Sequence, residues 1–70
     1  MDIYKFAPSE NIKARKFAED HLKDHVVSYF TDCIVVMPKS ESESTRADNG
    51  QYQTLADWMR RGGKRYSVIV

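Results

Sequence analysis

The hydrophobic period of this chain changes sharply near residue 26, and that change does most to limit the folds open to it. Before it, Ala14, Phe17, Ala18, His21, Leu22 and His25 recur at steps of three and four, so a helix would carry all six on one face. After it, Val26 to Met37 reads VVSYFTDCIVVM, β-branched and aromatic almost throughout, which is the composition of strands. One strand over that whole run would be unusually long. Thr31-Asp32 could break it into a hairpin, although neither residue favours the positive φ of the tightest hairpin turns; a single bent or bulged strand is the alternative. Pro38 ends the run in either case.

The flanking segments complete the pattern. Ile3, Tyr4 and Phe6 predict a first strand over 2–6, closed by Ala7-Pro8. Ser9 is a suitable N-cap and Glu10 a suitable first-turn anion, so the helix is expected from 10 to 24 with Lys13, Lys16, Glu19, Asp20, Lys23 and Asp24 on its outer face. Residues 39–50, KSESESTRADNG, hold no large apolar side chain and end in the turn dipeptide Asn49-Gly50, which predicts a flexible loop or hairpin tip. Thr54-Leu55-Ala56-Asp57 has capping-box spacing, with Asp in place of Glu, ahead of a short helix over 55–61. That helix would bury Leu55, Trp58 and Met59 and stop at Gly62-Gly63. Lys64 to Val70 then reads as a last strand. The expected fold is α+β, β-α-β(β)-α-β: one domain spanning 1–70, with a small three- or four-stranded sheet and a long and a short helix packed on one face.

Composition limits function more than it defines it. The formal net charge of +1 creates no bulk field toward nucleic acid or anionic lipid, so binding to either would need a local patch. A single cysteine, Cys33, excludes an internal disulfide and a cysteine-rich zinc site, and it points to a reducing, cytoplasmic setting. No apolar run approaches a membrane span, and Met1 to Phe6 is not followed by the uncharged stretch of a signal peptide. A core drawn from 70 residues supplies roughly 3–5 kcal/mol, so self-association is the natural further support.

Four features are candidates for function. His21 and His25, one helical turn apart, could hold a metal or respond to pH. However, Leu22 occupies the place of the Glu in H-E-x-x-H, and packing at the edge of the core explains the pair more simply. Cys33 lies beside Asp32, which opposes thiolate formation, so a buried structural thiol is expected rather than a His–Cys dyad. Trp58, Arg60, Arg61, Lys64, Arg65 and Tyr66 form a basic-aromatic corner. It could meet an acidic protein surface, grip nucleic acid, or simply complement a helix dipole and guard a sheet edge. Glu41 and Glu43 read as a solvated tract that could dock a partner on ordering. Finally, Val68-Ile69-Val70 is core if central in the sheet and open to another strand if at its edge.

No catalytic motif is present, and neither an enzymatic role nor a cofactor is expected. The reading is a non-enzymatic accessory or interaction module that binds a protein partner and itself, with partner contacts at the 58–66 corner. By analogy alone, phages, plasmids and bacterial genomes carry accessory proteins of this size. A nucleic-acid-binding module using the same corner is the alternative. Neutralisation of that corner by Asp57 or Asp48 would argue against it.

Overall fold

The computed structural model describes residues 2–21, 23–45, 54–62 and 66–70. In chain order the elements are β1 (Asp2–Phe6), α1 (Asn11–His21), β2 (His25–Tyr29), β3 (Ile34–Pro38), α2 (Lys39–Thr45), α3 (Leu55–Gly62) and β4 (Ser67–Ile69). The four strands form one mixed sheet in the order β2-β3-β1-β4. β3 runs antiparallel to both β2 and β1, while β4 runs parallel to β1. The expected α+β class and β-α-β-β-α-β order are both present, with α2 as an addition.

The run 26–37 is a hairpin. Tyr29 pairs with Ile34, and the Phe30 N–H donates to the Cys33 carbonyl at 2.8 Å across Thr31-Asp32. Neither turn residue has a positive φ, as their side chains favour. β3 is buried on both sides because it lies between β2 and β1 and beneath helices on both faces, which is why its sequence is continuously apolar.

The two expected helices do not share a face. Register places Tyr4, Phe6, Ile34 and Val36 on one side of the sheet, where Ala14 and Ala18 of α1 pack. Ile3, Val35 and Met37 point to the other side, where they meet Leu55 and Trp58 of α3. Strand alternation forces the split: β3 has apolar residues at consecutive positions, and covering only one face would leave Val35 and Met37 in water. The radius of gyration is 10.7 Å.

Helix ends also differ from expectation. α1 begins at Asn11, with the Glu10 carbonyl accepting from the Ala14 N–H at 2.9 Å, so Glu10 rather than Ser9 is the capping residue. The Glu10 side chain accepts from the Ala7 N–H at 2.9 Å, which holds its carboxyl below the usual range, helped by Lys13. α1 stops at His21 rather than 24, because Asp24 takes a left-handed conformation (φ 59°) that an α-helix cannot continue through. Leu22 lies outside the described residues.

Residues 39–45 form a helix rather than the expected loop or hairpin tip. The Lys39 N–H, which has no partner inside the helix, donates to the Asp24 carbonyl at 2.7 Å. Glu41 falls in the first turn, where the helix dipole favours an anion. Tertiary contacts, absent from any local propensity, stabilise this serine- and glutamate-rich turn. Residues 46–50, with Asn49-Gly50, lie outside the described residues.

Candidate functional site

The hairpin turn and α3 fix one another. The Thr54 hydroxyl accepts from the Asp57 N–H at 3.1 Å, which is the donor half of the expected capping box. A second cap comes from a distance: the Asp32 carboxylate at the β2–β3 turn accepts from the Leu55 N–H at 3.1 Å. Asp32 therefore acts as a strut between hairpin and helix. The neighbouring Cys33 is fully buried, and burial followed by the Asp32 charge pushes its thiol up to about 11. At neutral pH such a thiol is protonated and a poor nucleophile.

The histidines do not form a pair on one helix face. His21 stays on α1, stacked on Phe17 with ring centroids 5.2 Å apart, while His25 opens β2 opposite Pro38. The His25 Nδ1–H donates to the Lys23 carbonyl at 2.8 Å. That places His25 at the far end of the sheet from Cys33, five residues and about 16 Å along β3. Among the described residues no three His, Cys, Asp or Glu side chains converge as metal ligands.

The aromatic part of the basic-aromatic corner turns inward. Trp58 is 1% exposed and belongs to the core, so it is not available as a partner contact. Tyr66 stacks on it at 4.8 Å and donates its hydroxyl to the Glu41 carboxylate at 2.8 Å, so Glu41 is a buried acceptor rather than part of a solvated tract. Burial, with the Glu41 hydrogen bond and charge, pushes the Tyr66 phenol up to about 12. Arg60 and Arg61 are exposed, but both reach back to the Asp57 carboxylate, Arg61 Nε at 3.3 Å. Lys64, Arg65, Glu43 and Asp48 carry no described side chain.

The exposed apolar surface lies elsewhere. β4 is an edge strand, with Val68 37% and Ile69 40% exposed and Val70 fully so. Its main-chain directions follow from the hairpin. The Phe30–Cys33 hydrogen bond fixes the alternation across β3, which turns Ile3 and Lys5 of β1 toward β4. In the parallel register Ser67 and Ile69 then face β1, and the N–H and C=O of Val68 face outward. The opposite edge, β2, is flanked by the charged side chains of Arg15 and Glu19, which discourage strand addition. None of the described residues of β4 is charged.

β1 outlasts β4. Pairing ends at Tyr4–Ile69, and past it opens a crevice of about 800 Å³ at the carboxyl ends of both strands. Phe6, Phe17 and Ile69 form part of its wall, the start of α1 closes another side, and Asp32-Cys33 lie at its base. Sequence reasoning missed this crevice, because nothing local reveals where a paired strand stops short of its neighbour.

Comparison with protein-family models, with curated proteins and with solved structures finds no match to this chain. The class stated by the fold itself is a small α+β protein with a four-stranded mixed sheet. Among the described residues no helix is long and apolar enough to cross a membrane.

Proposed function

We propose that this chain is a small non-enzymatic interaction module that binds a protein partner, a second copy of itself included, by strand addition at β4. The observation that carries the reading is the open edge: Val68 directs its backbone donor and acceptor outward from a strand with exposed apolar side chains and no described charge. Two copies paired at β4 would continue one sheet across both, and the apolar surface of Ile69 and Val70 would leave water. The small core supports the same conclusion, since association adds burial that a chain of this length lacks.

A protonated, buried Cys33 and histidines remote from it support a non-enzymatic role. The single thiol is in keeping with a reducing, cytoplasmic setting. The nucleic-acid alternative loses support, because Asp57 engages both described arginines of the corner.

Sedimentation equilibrium tests the proposal, with Val68→Pro as the discriminating variant. Proline removes the outward N–H and leaves the bonds to β1 in place. The wild-type chain should show a concentration-dependent dimer, and Val68→Pro a folded monomer. A wild type that stays monomeric at millimolar concentration, or a Val68→Pro variant that dimerises equally well, would refute strand addition at this edge.

A further inference from the structure

We infer that the strand added at β4 is the β4 of a second copy, antiparallel and centred on Val68. Val68 then pairs with its own counterpart across a two-fold axis, and Tyr66 pairs with the partner's Val70. This pairing rests on the strand addition proposed above and narrows it to one occupant and one register.

The main chain dictates the direction. Ser67 and Ile69 bond to β1, so by alternation Tyr66, Val68 and Val70 turn their N–H and C=O outward. Two identical strands related by a two-fold axis present the same residues to each other. In a parallel pair, each bonded residue reaches the two that flank its opposite number. For Val68 those would be the partner's Ser67 and Ile69, which already face the partner's β1. A closed parallel dimer is therefore excluded. An antiparallel pair matches outward residue to outward residue, and each match exchanges both hydrogen bonds.

The outward row also sets the register, because Val68 is its middle member. An axis through Val68 matches the whole of 66–70, with Ser67 opposite the partner's Ile69. An axis through Ser67 leaves Val70 unmatched within that stretch, and one through Ile69 leaves Tyr66 unmatched. The side chains suit the same choice. Val68 stands on the face of Ile3, and Tyr66 and Val70 join it there by alternation, beside Trp58. Tyr66 against the partner's Val70 is an aromatic–β-branched pair, a favoured cross-strand combination. Val70 is fully exposed in one copy and Tyr66 only half-buried, so each covers what the other leaves open. Residues 66–70 carry no charged side chain, so identical strands meet without like-charge opposition. This self-complementarity favours a second copy over a foreign strand. On the opposite face α1 packs against β2 and β3, two strands or more inside the β4 edge.

Disulfide trapping in the full-length chain tests the register. Ser67→Cys and Ile69→Cys proteins, each also carrying Cys33→Ala, are mixed and oxidised with glutathione disulfide. An axis at Val68 sets Ser67 and the partner's Ile69 in a non-hydrogen-bonded pair, Cα atoms about 4.5 Å apart, within disulfide reach. Like positions lie about 8 Å apart, beyond that reach. The mixed 67–69 dimer should therefore exceed either self-linked dimer at least about ten-fold. Predominant 67–67 or 69–69 links would move the axis and overturn this register while leaving strand addition at β4 standing. Mass that grows without limit, as β4 docked on the β2 edge of the next copy would give, would refute the closed pair. Cys33 is fully buried, so a second measurement uses the unaltered chain as a mixture of isotope-labelled and unlabelled copies. Its filtered NOE spectrum should show Tyr66 ring protons of one copy against Val70 methyls of the other. Their absence from a chain that sediments as a dimer would overturn the proposal alone; a chain that stays monomeric would overturn it together with strand addition.

Discussion

Replacing Tyr66 by Phe should remove one hydrogen bond and nothing else. The phenyl ring can keep its stack on Trp58, centroids 4.8 Å apart, while the hydroxyl that donates to Glu41 at 2.8 Å is lost. Glu41 is 5% exposed, so water cannot readily take the place of that donor. A hydrogen bond to a charged group contributes about 1.5–3 kcal/mol. Glu41 keeps a further interaction within the chain, which places the expected loss in the lower half of that range, about 1.5–2 kcal/mol. For a domain of this size the matching fall in Tm is about 6–16 °C. The single tryptophan, Trp58, lies beside the altered group, so urea unfolding followed by its fluorescence reads the effect directly. The midpoint should fall with the slope m unchanged. A double-mutant cycle with Glu41→Met should return a coupling of about 1 kcal/mol or more. A Tyr66→Phe variant within about 0.5 kcal/mol of wild type, the scatter of ordinary surface substitutions, would refute the claim that this buried pair anchors α2 to the rest of the molecule.

Further outcomes follow from the same contacts. The Tyr66 phenol is raised from 10 to about 12, so the stability it contributes is complete below pH 10 and declines as pH rises toward 12; the absorbance titration at alkaline pH should show a late phase that Tyr66→Phe lacks. Asp32→Ala should cost about 1 kcal/mol by uncapping Leu55, measured by urea unfolding, and should lower the Cys33 thiol toward its usual value without reaching it, because burial remains the larger cause. In the native wild type at pH 8 the thiol should react with Ellman's reagent far more slowly than in urea; equal rates would contradict its burial. Asp57→Ala frees Arg60 and Arg61 and should raise affinity for a single-stranded oligonucleotide at low salt above that of wild type. Tight, steeply salt-dependent binding by the wild type itself would restore the nucleic-acid reading.

Local chemistry in the sequence determined the element types. The 14–18 part of the helical stripe, the β-branched run, the Thr54–Asp57 cap and the strand formers at both ends each act over a few residues, so they are legible without the fold. The same locality explains the failures. His25 continues the helical spacing, yet Asp24 turns the chain first, and the spacing carries no record of where a helix stops. KSESEST looks like solvated loop because its partners, Asp24 and Tyr66, are far away in the chain.

What only the tertiary structure decided is everything that depends on which strands are neighbours. An apolar position in β3 says that it is buried but not by which helix, so the two faces could be assigned only once register was known. Trp58 and Tyr66 look like a binding corner until the sheet behind them is in place, when they become core and its polar edge. The open side of β4 arises because it is the last strand of the sheet, and the crevice beyond it because β1 extends past its parallel partner. That is a relation between segments more than sixty residues apart. No local pattern encodes it, because pairing length is set by where each strand lies in the sheet rather than by its own composition.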